Sequence, residues 1–270
     1  MPHRASPLTA IILAGSRGPD DSVAAAGGVA HKALLPLGGM TMIERMVATL
    51  EATGRFGRIL IVTDDQTLFV GIPRIAGLRE AGVLGFVAAL SSPSLSARAA
   101  MMAAGEAWPI LLTTCDQPLI EPPMIEYLLD RANPAADVSA AVVERHIVLA
   151  AMPDVRRTFW KFRAEAVSGA NLFLLKGPAA TGVLDFWRHV EDNRKKPLRV
   201  IGALGWWTVA RVLLRAITLD GTLARLGSRT GARIEAVRLP FATACVDVDK
   251  PEDIAVAERF LADRENLTQP

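Results

Sequence analysis

Ala14-Gly15-Ser16-Arg17-Gly18 is a turn of small residues carrying one guanidinium, and the ammonium of Lys32 follows it. A backbone without bulky side chains lets polyphosphate oxygens reach its N–H groups. Two nearby cations then neutralise the charge that grows on those oxygens when one phosphate is displaced. Asp116 stands at the end of the apolar run Ile110–Thr114, and Asp247 and Asp249 follow the apolar Ala244–Val246. Magnesium takes one or two carboxylates together with phosphate oxygens and water, so acids from two distant segments suit it. Neither a G-x-x-x-x-G-K-[ST] loop nor a G-x-G-x-x-G fingerprint is present.

The remaining polar residues divide between chemistry and architecture. Asp249-x-x-Glu252, with Pro251 in the first turn, reads as an N-cap and capping box, which leaves Asp247 the better candidate for a second metal ligand. His31 reads as a loop residue, Ser96 as an N-cap, and Asp20 and Asp21 as solvated acids. Cys115 and Cys245 neighbour the candidate acids, yet no C-x-x-C spacing accompanies them, so a zinc site is not expected. Ser168-Gly169-Ala170-Asn171 leads into the apolar Leu172–Leu175 and reads either as a plain turn or as a contact to a second substrate.

Apolar runs alternating with helical periodicity predict an α/β fold with a largely parallel sheet. The expected strands are Thr9–Leu13, Arg58–Val62, Ile110–Thr114, Leu172–Leu175, Arg233–Val237 and Ala244–Val248. Asp137–Val143 and His146–Ala151 are expected to pair as a hairpin. Thr41-x-x-Glu44 predicts a capped helix through Ala52, and further helices are expected over 96–107, 122–132, 183–190, 200–214, 222–227 and 251–262. One domain spans 1–270, and about 150–235 forms an insertion within it, helical in the main.

Composition narrows the function classes. Of 270 residues, 51% are hydrophobic, enough for a substantial core, and the net charge of +2 argues against general nucleic-acid binding. Two cysteines imply no disulfide framework. Trp187–Arg215 carries seven Lys or Arg residues against Glu191 and Asp192, beside Trp206 and Trp207. Such a segment suits a phosphorylated acceptor, an anionic membrane surface or a homodimer contact; Arg211 and Arg215 interrupt it too soon for a bilayer span.

The glycine turn with Lys32, the strand ending in Asp116-Gln117-Pro118, and Asp247-Val248-Asp249-Lys250-Pro251-Glu252-Asp253 occur in one order along the chain. Together they resemble nucleotidyltransferases related to the molybdenum cofactor guanylyltransferase and the sugar-phosphate nucleotidylyltransferases, the MobA-like group. Their pattern runs roughly L-A-G-G-x-x-x-R-M-G…K-x-L-x-x-x-G. Ser16 stands where that pattern has its second Gly, Arg17 comes earlier, and Cys115 replaces a Gly. The resemblance implies a three-layer, Rossmann-like sheet with GT-A-like architecture. It implies that Leu13, Ala14, Gly15, Ser16, Arg17, Gly18, Lys32 and Ser96 bind the nucleotide, that Arg17, Lys32 and Asp116 are catalytic, and that Asp116 and Asp247 hold Mg²⁺. Gly169 and Asn171 would meet the acceptor. The implied reaction is transfer of NMP from GTP or CTP to a phosphorylated small molecule in the cytoplasm, with release of pyrophosphate. Two alternatives stay open: a GT-A-type glycosyltransferase with Asp247-Val248-Asp249 as its D-x-D, and a non-catalytic nucleotide-binding or membrane-associated protein.

Overall fold

A computed structural model describes residues 7–16, 18–105, 107–155, 157–193 and 205–268. Its central strand, β1 (Leu8–Leu13), turns Ala10 and Ile12 to one face of the sheet and Ile11 to the other, and all three are fully buried. A strand covered on both faces is apolar at consecutive positions, which is why this segment reads as a run instead of an alternation. A two-residue hairpin, β2 (Pro36–Leu37) with β3 (Met40–Thr41), closes through Gly38 and Gly39 at φ 53° and 73°, the left-handed region that glycine enters without strain.

β4 (Phe56–Thr63) and β6 (Ile110–Thr114) flank β1 and run parallel to it, and β5 (Leu84–Ala88) lies beyond β4. On the other side, β9 (Ala166–Leu175) inserts antiparallel between β6 and β7 (Val138–Glu144). β10 (Ile234–Arg238) pairs parallel to β7, and the short β8 (Trp160–Lys161) pairs with the start of β9. The result is a mixed, mostly parallel sheet of eight strands, in the order β10-β7-β9-β6-β1-β4-β5 with β8 on β9.

The helices are α1 (Ser22–Ala26), α2 (Met42–Ala52), α3 (Pro73–Glu80), α4 (Pro93–Ala103), α5 (Pro122–Arg131), α6 (Arg145–Ala151), α7 (Ala180–Asn193), α8 (Trp206–Leu213), α9 (Leu219–Thr230) and α10 (Pro251–Thr268). Ala97, Ala100 and Met101 of α4 and Leu184 of α7 pack with Ile11, Leu60 and Leu112 on one face. Side chains of α2, α5, α6 and α10 cover the other, around Ile12, Ile61 and Leu111. This is the expected three-layer α/β architecture. The cap of α2 is also as expected: Thr41 Oγ1 accepts the Glu44 N–H at 3.3 Å. Replacing such a cap by alanine costs about 1 kcal/mol.

Four local expectations are corrected. Asp137–Ala151 is not a hairpin, because its second half is the helix α6 and β7 pairs with β9 and β10. Ser96 is not an N-cap; α4 begins earlier, with Pro93 in its first turn and Ser92 capping the Leu95 N–H. Ala244–Val248 is not a strand but a 3-10 turn over Ala242–Cys245 followed by extended chain. Asp21 is no solvated acid: it is buried and caps α1 through the Val23 and Ala24 N–H groups. The segment 150–235 contributes β9 to the interior of the sheet as well as the helices α7 to α9. Arg17 and the stretch 194–204, with its basic cluster, lie outside the described residues.

Candidate active site

From β1 the chain crosses first to β4, then returns through β6 on the opposite side of β1. Open α/β sheets bind ligands at the carboxyl ends of the strands where the direction of crossing switches. The two expected motifs leave the sheet at that crevice. Cys115 N–H donates to the Leu13 carbonyl at 3.1 Å and Ala14 N–H to the Val62 carbonyl at 2.8 Å, after which the turn departs. Gly15 and Gly18 are exposed, and Gly18 takes φ 72°, a conformation that disfavours any residue with a side chain. Ser16 N–H donates to Asp64 Oδ1 at 3.0 Å, and Ser16 Oγ accepts the Gly18 N–H at 2.8 Å. The turn is therefore braced by β4's carboxyl end, and its glycines keep their outer surface open.

His31 does more than fill a loop. Buried against Phe69, with rings 5.2 Å apart edge to face, its Nδ1 accepts the Ala33 N–H at 3.0 Å and caps the short turn that begins at Lys32. Its Nε2 lies 3.5 Å from Asp64 Oδ1. Lys32 is thereby aimed at Asp116 Oδ2, 2.9 Å away, and at Asp249 Oδ1, 3.3 Å away. Thr114 Oγ1 donates to the other oxygen of Asp116 at 2.6 Å.

The distant acids reach this corner because Val248 N–H donates to the Asp116 carbonyl at 2.9 Å, tying the extended segment after Cys245 to the end of β6. That segment carries Asp247 and Asp249 on either side of Val248. Asp249 shares Lys32 with Asp116, and Asp253 accepts the Asp249 and Lys250 N–H groups just ahead of α10 at 3.0 and 2.9 Å. Asp247 accepts from Arg157 Nη1 at 2.6 Å, while Arg157 Nη2 donates to the Cys245 carbonyl.

Charge explains the state of each group. Burial works against the Lys32 ammonium, but the adjoining Asp116 carboxylate outweighs it and holds the pKa above the ordinary lysine value. Burial raises the Asp247 carboxyl, Arg157 opposes that shift, and Asp249 and Asp116 add to it. The Cys115 thiol is pushed up to about 12 by burial and by the Asp116 charge, which leaves it an inert filler. Three carboxylates thus face two cations, Lys32 and Arg157. Among the described residues no group of three or more His, Cys, Asp or Glu is arranged to enclose a metal ion. The donor set still suits a hard ion that takes one or two protein carboxylates and completes its shell with phosphate and water.

The sequence of residues 10–177 matches the model of the MobA-like NTP transferase domain. The chain belongs to that family. None of the curated proteins matches it. Among experimental structures, this MobA-like chain is similar to a hypothetical transferase from Thermus thermophilus, with TM-score 0.76 and 26% identity over 92% of this chain and 100% of that one. It shares its fold with a CMP:2-keto-3-deoxy-manno-octonic acid synthetase complexed with CTP, at TM-score 0.57 and 16% identity over 96% and 100% of the two chains. It shares it also with a 4-diphosphocytidyl-2C-methyl-D-erythritol synthase from Anaerococcus prevotii, at TM-score 0.56 and 10% identity over 95% and 99%.

The other sequence candidates of this MobA-like domain lie around the corner. Ser96 is buried in α4, and its Oγ accepts the Leu90 N–H at 2.8 Å, pinning the loop whose Ala89 packs against Gly15. Gly169 and Asn171 lie on β9 at a bulge, where the pairing jumps between Ala140 and Val142; Asn171 takes φ 45° there. Gly169 is exposed and Asn171 half-buried. Sequence reading missed Asp64 and Arg157. Asp64 follows an apolar strand directly, a position that could have flagged it, whereas Arg157 lies in a stretch with no periodicity and gives no local signal.

Proposed function

We propose that the chain is an Mg²⁺-dependent nucleotidyltransferase that moves NMP from an NTP to a phosphorylated acceptor. The observation that supports this best is the meeting of Lys32 with Asp116 and Asp249 at the crevice where the open glycine turn begins. In the reaction an oxygen of the acceptor phosphate forms a bond to the α-phosphorus. The bond from that phosphorus to the α,β-bridging oxygen breaks, and pyrophosphate departs with the electron pair. An ionised phosphate needs no deprotonation, so no general base and no covalent enzyme intermediate are required.

The turn Leu13–Gly18 receives the phosphates against its backbone N–H groups, with Arg17 as a second cation. Lys32, held charged, neutralises oxygens that gain charge as the bond breaks. Asp116 is the proposed first magnesium ligand. For the second, Asp247 competes with Asp249; each already has one oxygen on a cation, Arg157 and Lys32 respectively. When bound, the ion would supply Lewis-acid stabilisation of the transferring phosphate. Gly169 and Asn171 are the proposed acceptor contacts. The names of the cytidylyl-transfer relatives put CTP first in a substrate screen, and the resemblance to the molybdenum cofactor guanylyltransferase puts GTP second.

The test is pyrophosphate release from each of the four NTPs with a panel of phosphomonoesters, in the presence of Mg²⁺. Release above background with one pair, abolished by Asp116→Asn, is the expected result. Full activity in Asp116→Asn with the confirmed pair would overturn the assignment.

A further inference from the structure

At the carboxyl end of β7 an open cleft of about 490 Å³ is walled by Arg145, His146, Lys161, Arg215, Glu144 and Glu165, among others. β9 runs antiparallel to both β6 and β7, so β7 points the same way as β6 and β1. The cleft therefore opens on the same edge of the sheet as the acid corner. Lys161 lies four residues beyond Arg157, which binds Asp247; a chain of that length spans roughly 14 Å at most. Glu165 is already matched, its two oxygens 2.8 and 2.7 Å from the Arg238 guanidinium. Glu144 lies 3.8 Å from His146, and against it the cleft offers a ligand the three cations Arg145, Lys161 and Arg215, in the size range of a small-molecule site.

Beside it lies α8. Thr208 and Val212, one turn apart, dock this helix, Val212 packing against the cluster of Val142, Phe162, Val167 and Leu219. Trp206, Trp207, Leu213 and Leu214 stay 60%, 84%, 77% and 78% exposed. Arg215 follows at once, with φ 52°, and lines the cleft, so the apolar face and the cationic pocket adjoin. The sequence has no acid between Asp192 and Asp220, where Arg194, Lys195, Lys196, Arg199, Arg211 and Arg215 all fall. Exposed indoles beside Arg211 and Arg215, in a sequence stretch without acids, match the interface of an anionic bilayer. A second copy of the chain is the poorer occupant, since a two-fold contact would set each basic stretch against its own equivalent. Among the described residues no helix is long and apolar enough to cross a membrane.

We infer that the acceptor is a phosphorylated lipid, presented by an anionic membrane surface on which α8 rests, with its phosphate entering the cleft of Arg145, Lys161 and Arg215. This rests on the transfer reaction proposed above. A lipid phosphomonoester oxygen bonds to the α-phosphorus, pyrophosphate leaves, and the product is a lipid carrying the nucleotide through a diphosphate.

The experiment mixes the full chain with vesicles of phosphatidylcholine alone or with phosphatidic acid added, and reads flotation together with pyrophosphate release from each NTP. Flotation on the phosphatidic acid vesicles alone is expected, falling at least tenfold in the Trp206→Ser/Trp207→Ser variant and in Arg211→Glu, whose folding is checked by thermal unfolding. Release is expected to be at least tenfold faster with vesicle-borne phosphatidic acid than with glycerol 3-phosphate at equal concentration. Absence of flotation, flotation unaltered in both variants, or concentration-dependent dimerisation lost on the same substitutions would overturn the inference. So would equal release with the soluble ester, which leaves the transfer reaction standing. No release from any NTP with any acceptor would remove the reaction itself, and the lipid acceptor with it.

Discussion

At the acid corner every charge has a partner: Lys32 lies between Asp116 and Asp249, and Arg157 holds Asp247. In the cleft beside α8, Arg145, Lys161 and Arg215 line an open volume, and large apolar side chains stand exposed next to it. The first region is preorganised, with side chains fixed by their neighbours before any substrate arrives, as stabilisation of a transition state demands. The second is built to receive charge and apolar surface from outside. On the function proposed above, one part of the sheet edge serves reaction and the other recognition, and substitutions should separate them.

The largest effect should come from the corner. Lys32→Ala and Asp116→Asn are each expected to lower kcat about 10³-fold, near 4 kcal/mol, by removing charge aimed at the reacting phosphates. Steady-state rates with the confirmed substrate pair check this. A loss confined to acceptor KM would erase the distinction between the two regions. Arg157→Met comes next. It leaves Asp247 in a half-buried setting with no counter-charge, and about 2 kcal/mol of folding stability should be lost, less than for a fully enclosed pair. Urea unfolding measures it; the double variant Arg157→Met/Asp247→Asn should recover most of the loss.

The two regions also differ in how far the sequence disclosed them. The corner was legible where function sits on local pattern: an apolar strand into a glycine turn, a strand ending in Asp116, acids ahead of Pro251. Its pairings were not. Asp249 reads as a helix cap because Asp-x-x-Glu is a capping pattern, and nothing in that pattern discloses that its Oδ1 meets Lys32 from 217 residues away. Arg157 meets Asp247 across 90 residues of chain, a contact that no spacing rule encodes. The sheet was read short where burial overrode pattern: Leu172–Leu175 is a strand as expected, but Ser168–Asn171, at the bulge of β9, passes for a turn although it continues the strand between β6 and β7. For α8 the sequence displayed the basic, tryptophan-bearing composition but not which face was covered. That depends on Val212 meeting Val142 of β7, Val167 of β9, Phe162 and Leu219.

A third test sharpens the comparison from the cleft's side. Lys161→Ala should raise the acceptor KM about tenfold, near 1.4 kcal/mol, while the NTP KM and kcat stay within a factor of two. Equal changes in both KM values would mean the cleft serves the nucleotide, and the division drawn above would fail.

The smallest effect is a pH dependence that isolates Asp247. Burial, reinforced by Asp249 and Asp116 and opposed by Arg157, puts its folded-state pKa above the ordinary 3.8. The native state therefore holds this proton more tightly than the unfolded chain does. The stability linked to it is complete below pH 3.8 and is lost as pH rises through the folded pKa. Unfolding free energies measured by urea at pH 4, 5 and 6 should fall more steeply in the wild type than in Asp247→Asn. Parallel slopes would mean that Arg157 neutralises Asp247 completely, and that the corner's surplus negative charge resides on Asp116 and Asp249, the two acids that share Lys32.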